Sequence, residues 1–474
     1  MDVSETLRRD QADDVAFRVD RIEGRIPDGL DGVLFRNGGG IFAAGEDPLS
    51  FLDGYGLVGA LEVADGSAFL RTSHPETRVL VEERRAGRMT RRRVFTNLPG
   101  WRRNVFNVDP TTTASHDSYV WNGQLHAADL GCHTAMSLPE LKSVGETPWM
   151  TGKGELTAPM PREDLARDHL VTYVLRQTPA KSEVTFIEVD ASFQELARSR
   201  TVRTEGLVHD LAFTDDWFVL VENAAKPRPI PALLGRAPLW SSFAWDGRPP
   251  TLLFIPRGRA GQPVRIPMTD TSLQTVFHIV NVFADGDEVV VDVTGYDGPV
   301  SFEALMVATR ERPQRPTPTN HISRARAAPL AGGRASVEHF EGASGEAPEV
   351  APRLQGKPYS CCWYAALPSS SIDPNSYVFT SQMGRLDVTS GAVTTWDAGA
   401  GHQLSPPAFA PDPAAGPEDG WVLAWDLDLA AETTDVVILD AGDLAAGPVA
   451  RLDLGVYLPA VSHCRFAPGV RVSA

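Results

Sequence analysis

Short runs of β-branched and aromatic residues, each closed by a turn signal, recur along almost the whole chain and constrain it to sheet. They fall at residues 32–36, 57–63, 119–121, 170–175, 183–189, 217–222, 288–292, 376–380, 421–425 and 434–439. Residues 37–40, Asn-Gly-Gly-Gly, read as a break after the first run. Asn122-Gly123 and Asp285-Gly286 sit between such runs and predict hairpins, because these pairs accept the backbone angles of tight turns. Helical periodicity is not sustained after the first twenty residues; residues 161–169 are the one later stretch that reads as a short helix. So many short strands exceed what one open sheet holds. A β-propeller accommodates them and leaves only short protected edges. A large barrel or a twin sandwich would satisfy the same count, and no Trp-Asp or kelch repeat decides between them.

The chain has 474 residues and no obvious linker. Residues 1–24 read as a charged N-terminal arm or short helix, residues 25–474 as a single domain, and residues 310–334 as a long surface loop. A formal net charge of −17 argues against nucleic-acid binding, which needs clustered cations. The one basic cluster, from Arg84-Arg85 to Arg91-Arg92-Arg93, reads as solvated surface. Cys132, Cys361, Cys362 and Cys464 fit neither a disulfide framework nor a CxxC metal site. Neither a secretory leader nor a run long enough to span a bilayer is evident, so a cytoplasmic location is the expectation. Residues 230–245 are unusually apolar for a connection. They are either core or an exposed patch that admits a greasy substrate or touches a membrane face.

Three histidines stand in similar settings. His278 lies in Phe277-His-Ile-Val-Asn281, ahead of a buried strand; His209 lies before the strand at 217; His463 ends Tyr457-Leu-Pro-Ala-Val-Ser-His463. A lone histidine on an apolar strand is more often a satisfied core residue than a metal ligand. Several at the mouths of different strands are a different matter. His209 and His278 are 69 residues apart, close to one blade if the chain makes about seven. Equivalent positions in successive blades face a common axis, so the imidazoles would meet there. His74, His321, His339 and His402 sit in polar, loop-like text and read as surface residues, and Asp53 reads as a structural turn residue. No GxSxG, HExxH or GxxxxGK[ST] motif competes.

With these segments in view, the sequence resembles the carotenoid cleavage oxygenase family from about Pro27 to Gly469. Gly32-Val-Leu-Phe-Arg-Asn-Gly38 is similar to the family's opening motif. Phe51-Leu-Asp-Gly-Tyr-Gly-Leu-Val58 is similar to its Phe-Asp-Gly-Asp-Gly-Met-Val element, with Tyr55 where an Asp is usual. His209-Asp-Leu-Ala-Phe-Thr214 and Phe277-His-Ile-Val-Asn281 match two histidine motifs. His463 falls where a C-terminal ligand belongs, and Glu346-Ala-Pro-Glu-Val350 resembles a glutamate motif. The resemblance implies an all-β, seven-bladed propeller with loops and short helices capping one face. It further implies an axial non-haem Fe(II) on four histidines, oriented by carboxylates, with O₂ as co-substrate and oxidative cleavage of an alkene in an apolar small molecule. Here it places His209, His278 and His463 on the metal, with Glu346 and Asp129 orienting them.

The departures from the family pattern are specific. Pro159, in Thr157-Ala-Pro-Met-Pro161, stands where the first ligand histidine belongs, and proline offers a metal no donor. His169 is a poor substitute, because it reads as a strand entry, and His126 would share the side of Asp129 only across a bulge. Asp129 replaces one orienting glutamate, Pro406 replaces another, and Ala128 stands where stilbene-cleaving members carry a lysine. The expectation is a three-histidine iron oxygenase. The alternatives are a repurposed isomerase, lyase or cyclase, or a metal-free binding propeller.

Overall fold

The computed structural model describes residues 9–473 apart from 12, 108–110, 112, 132, 148–154, 178–181, 240–242, 259, 299–318 and 368–379. Among the described residues, seven sheets of four to six antiparallel strands make a seven-bladed β-propeller, and two further two-stranded ribbons lie outside the blades. Blade 1 takes its innermost strand, His463–Pro468, from the end of the chain and pairs it with Gly32–Ile41 from the beginning. The register runs from Gly32 opposite Pro468 to Asn37 opposite His463. Blades 2 to 6 follow in chain order, with strands drawn from residues 117–146, 155–204, 212–267, 275–339 and 345–397, and a second tie closes blade 7, where Arg21–Gly24 pairs with Pro448–Val456. The ring is therefore shut by hydrogen bonds between the two ends of the chain.

The blades hold together through apolar faces pressed side by side. Between blades 4 and 5, Val219, Phe254, Ile279 and Val291 share one fully buried cluster. Between blades 6 and 7, Trp363 stacks on Phe409 at 4.5 Å. Each such side chain stabilises the fold by about 1.5–3 kcal/mol relative to exposure. The repeating contact is sheet on sheet, so the fold needs no sequence repeat, only apolar alternation in every blade.

Several local expectations give way to tertiary contacts. Residues 37–40 do not break the first strand but continue it, as part of Gly32–Ile41. Their glycines make room for neighbours: a Cβ on Gly38 would lie 2.7 Å from Val461, and one on Gly40 would lie 2.4 Å from Leu57. Residues 161–169 make a strand, Arg162–Asp164, and a turn onto His169–Gln177 rather than a helix. Among the described residues the longest helix is instead Arg78–Ala86, capped by Thr77, whose hydroxyl accepts from Leu80 N at 3.2 Å. Gly87 ends it in the left-handed region, with φ of 62°. Within the expected arm, Ala16–Val19 and Arg21–Gly24 are strands of blades 1 and 7. Within the expected loop, Asn320–Ala327 is a strand of blade 5. The run at 376–380 lies outside the described residues except for Thr380.

The basic cluster is not a solvated surface throughout. Arg93 is fully buried and pairs with Glu83 at 2.7 Å, a carboxylate that also accepts from Tyr55, Thr90 and Arg91. Arg92 is equally buried and donates to four backbone carbonyls, those of Asn104, Asn107, Ala232 and Ala237. His74 is also buried, with Nδ1 2.8 Å from Asp14. In each case the local text is polar and the partner is distant in sequence. Cys361, Cys362 and Cys464 are buried free thiols, while Cys132 lies outside the described residues. Among the described residues, no helix is long and apolar enough to cross a membrane.

Candidate metal centre

The innermost strands of the blades surround the propeller axis, and histidines occupy the entrances of four of them. His463 opens the innermost strand of blade 1, His116 precedes Asp117–Trp121 of blade 2, His209 precedes Ala212–Phe213 of blade 4, and His278 lies in Thr275–Asp285 of blade 5. Their rings form a cycle. Centroids are 4.8 Å apart for His116 and His463, 5.4 Å for His463 and His278, 5.3 Å for His278 and His209, and 5.9 Å for His209 and His116. His209, His278 and His463, anticipated from the sequence, thus come together; His116 was not anticipated.

Irregularities in the backbone aim these side chains. The pairing of Thr275–Asp285 shifts register between Val276 and Ile279, a bulge that breaks strict alternation at His278. A second shift follows Glu346, where Ala347 holds a φ of 48°. Glu346 accepts from His278 Nδ1 at 2.6 Å, from Thr294 Oγ1 at 2.9 Å and from Asn320 Nδ2 at 3.4 Å, and it is 2% exposed. A carboxylate can only accept, so Nδ1 carries a proton and Nε2 is left as the atom that can ligate. That Nε2 is buried and has no hydrogen-bond partner. Asn281 explains the last residue of its motif. Its amide donates to the carbonyls of Leu354 and Lys357 and accepts from Gly356 N, clamping blade 6 to blade 5.

Electrostatics keep the ring cycle largely neutral. Burial, with the repulsion of neighbouring imidazoles, drives His209 and His463 well below the ordinary histidine range. Burial also lowers His116, against the opposing pull of Asp129 and Asp117. At His278 burial acts in the same downward sense, but the hydrogen bond and charge of Glu346 outweigh it and raise the pKa. Neutral imidazoles present lone pairs, the form that ligates iron, zinc or copper.

The remaining predicted residues fall differently. Pro159 is buried in the turn between Glu155–Thr157 and Arg162–Asp164 of blade 3. Asp129 does not bond an imidazole: it accepts from Thr113 N at 3.1 Å, Thr113 Oγ1 at 3.0 Å and Leu130 N at 2.7 Å, bracing the segment that leads to His116. His169 bonds Glu188 and His126 bonds Thr147 and the Trp121 carbonyl, so neither joins the cycle. Pro406 lies in blade 7 between His402–Leu404 and Ala408–Pro411. His116 had a legible signal, since His116-Asp117 repeats the dipeptide His209-Asp210. The two aspartates also act alike. Asp117 pairs with Arg465 at 2.6 Å and Asp210 with Arg162 at 2.8 Å, each locking one inner strand to its neighbour.

Two rings at right angles on one ion, with metal–nitrogen bonds of about 2.1 Å, would have centroids about 4.5 Å apart. The observed cycle is somewhat wider. Accordingly, among the described residues no three His, Cys, Asp or Glu side chains are gathered closely enough to hold an ion as they stand. The donor chemistry nevertheless fits a metal. Two Nε2 atoms, of His116 and His278, are buried without partners, and each such orphan costs about 1–3 kcal/mol unless something binds it.

Comparison with known proteins gives a consistent outcome. The family model of the retinal pigment epithelial membrane protein matches residues 7–468. The apocarotenoid-15,15'-oxygenase of Synechocystis sp. is 26% identical over 95% of this chain and 93% of its own length. Isoeugenol monooxygenase of Pseudomonas putida is 24% identical, with 93% of each chain covered. Among solved structures, the cobalt-substituted apocarotenoid oxygenase of Synechocystis superposes with a TM-score of 0.88, at 24% identity and 98% coverage of both chains.

Proposed function

We propose that this chain, which belongs to the retinal pigment epithelial membrane protein family, is a metal-dependent oxygenase that cleaves an alkene double bond of an apolar small molecule. The observation that carries the reading is the meeting of His209, His278 and His463 on the axis, with His278 held by the buried Glu346. The relatives are named as oxygenases of an apocarotenoid and of isoeugenol, both of which contain alkenes. His209, His278 and His463 would hold Fe(II), whose chemistry there is the activation of O₂. Cleavage then divides both oxygen atoms between the two alkene carbons and yields two carbonyl products.

The chain's own residues orient and shield. Glu346 keeps a proton on His278 Nδ1 and leaves Nε2 as the atom that can ligate. Asp210 accepts from Ile279 N at 2.8 Å, fixing the backbone beside His278 to the strand that follows His209. Trp101, Phe106, Ile230 and Leu234 are 58%, 73%, 68% and 38% exposed and make the apolar patch to which we assign substrate uptake. They belong to two segments joined by Phe106 N to the Leu233 carbonyl. Arg102, Arg103, Arg228 and Arg236 flank them, a mixture suited to resting on a lipid surface where a greasy substrate dissolves. Ala128, fully buried, offers no ammonium to a phenol, so the reading favours a hydrocarbon-like alkene.

The test is incubation of iron-loaded protein with an apocarotenal, a stilbene and isoeugenol, in air and under argon, with carbonyl products read by mass spectrometry. The expected result is aldehyde formed only in air and lost in His278→Ala. Pro159 and Pro406, in place of a ligand and an orienting carboxylate, favour one other reading, non-oxidative chemistry on the same scaffold. Isomerised product under argon would establish that instead.

A further inference from the structure

The loss of a donor at Pro159 raises the question of what fills the fourth position, and the ring cycle answers it. We propose that His116, on blade 2, has taken over the ligand role that the blade 3 position vacated, so that the centre is a four-histidine site assembled from blades 1, 2, 4 and 5. The inference rests on the metal-dependent reading above and names a residue that reading does not contain.

Position is the first support. His116 immediately precedes an innermost strand, as His209 nearly does, and its ring lies 4.8 Å from His463, the shortest separation in the cycle. Orphaned chemistry is the second. Nε2 of His116 is buried with no hydrogen-bond partner, as is Nε2 of His278 across the cycle, so both face a common interior with unused donor atoms. Outside the cycle His126 is satisfied at both nitrogens, by Thr147 and the Trp121 carbonyl, and His74 has one unpartnered Nε2, so it is the presence of two such nitrogens within one ring cycle that marks the site.

The third support is that the segment is built to hold its place. His116 N donates to the Ala128 carbonyl at 3.0 Å, and Thr113 is bound twice by Asp129. Gly56 lies against this segment so closely that a Cβ would sit 2.3 Å from the Ala114 carbonyl oxygen, and Gly56 N donates to Thr113 O at 3.0 Å. On the far side, Arg465 grips Asp117 with two nitrogens, at 3.0 and 2.6 Å, two residues beyond His463. The strands of His116 and His463 are therefore cross-linked directly behind their rings. Asp129 thus acts as a positioning residue for the His116 segment rather than as an acceptor for an imidazole.

The experiment is Co(II) titration of the full chain followed by visible absorption, whose bands report the number of nitrogen ligands, with wild type, His116→Gln and His209→Gln in parallel. Loss of an orienting partner alone weakens a metal by about 10–100-fold, so loss of a true ligand should reach about 100-fold or more. His116→Gln is expected to weaken Co(II) as His209→Gln does and to shift the bands. Wild-type affinity and bands in His116→Gln, with loss in His209→Gln, would overturn the role of His116 and leave the three-histidine reading intact. No binding of Co(II) or Fe(II) by wild type would overturn both. If the glutamine variant does not fold, His116→Gly with added imidazole decides: bands recovered by imidazole are expected, and either wild-type bands without it or no recovery with it counts against the proposal.

Discussion

Replacing Glu346 by glutamine isolates the contribution of one buried charge. Glutamine keeps the length and one accepting oxygen, so His278 Nδ1 retains a partner, but the bond changes from charge-assisted to neutral. Hydrogen bonds to charged groups contribute about 1.5–3 kcal/mol and neutral ones about 0.5–1.5, so the exchange costs about 1–1.5 kcal/mol, or about tenfold in metal affinity. Alanine would do far more, because His278, Thr294 and Asn320 would all lose their acceptor inside the protein. Two assays check the reasoning. Equilibrium titration with Co(II) should show affinity about tenfold weaker in Glu346→Gln, at the low end of what outer partners contribute. NMR titration of the metal-free protein should show the His278 pKa falling, because burial would then act without the opposing carboxylate. A folded variant with unchanged affinity and an unchanged His278 titration would refute the assigned role of Glu346.

Three further outcomes are expected. Burial holds His126 near pKa 4 and His133 near 3, below the ordinary value, so the unfolded chain takes up protons first as pH falls. Each should cost about 2 kcal/mol of stability between pH 7 and pH 5; urea unfolding at both pH values should show it, with a shallower dependence in His133→Gln, and an unchanged dependence would count against it. Arg92→Lys removes the planar fork that binds four carbonyls and should cost about 2–4 kcal/mol, with new protease cleavage near residues 97–107 or 229–237; wild-type resistance would argue against a clamp. Trp101→Ser with Ile230→Ser should reduce co-sedimentation with phosphatidylcholine vesicles without lowering thermal stability, since both side chains are exposed; equal sedimentation would remove lipid contact from the functional reading.

The sequence by itself determined the strands, because alternation and turn chemistry are local properties. The runs at 57–63, 217–222 and 434–439 all lie inside observed strands, and the Asn122-Gly123 turn joins Asp117–Trp121 to Gln124–Ala128. It also marked three of the four clustered histidines and Glu346, because each sits in a short motif whose residues share one strand entrance. What only the tertiary structure decided depends on partners remote in the chain. Arg92 and Arg93 look like surface until the carbonyls at 232 and 237 and the carboxylate of Glu83 are brought to them. The glycines at 38–40 look like a break until Val461 and Leu57 press against them. The dipeptide that His116-Asp117 shares with His209-Asp210 does not by itself place His116 on the axis. His116 joins the centre only because closure of the ring by His463–Pro468 carries the end of the chain to the entrance of blade 2, where Arg465 meets Asp117 across 348 residues. Periodicity is written residue by residue, whereas convergence on an axis is a property of the closed ring.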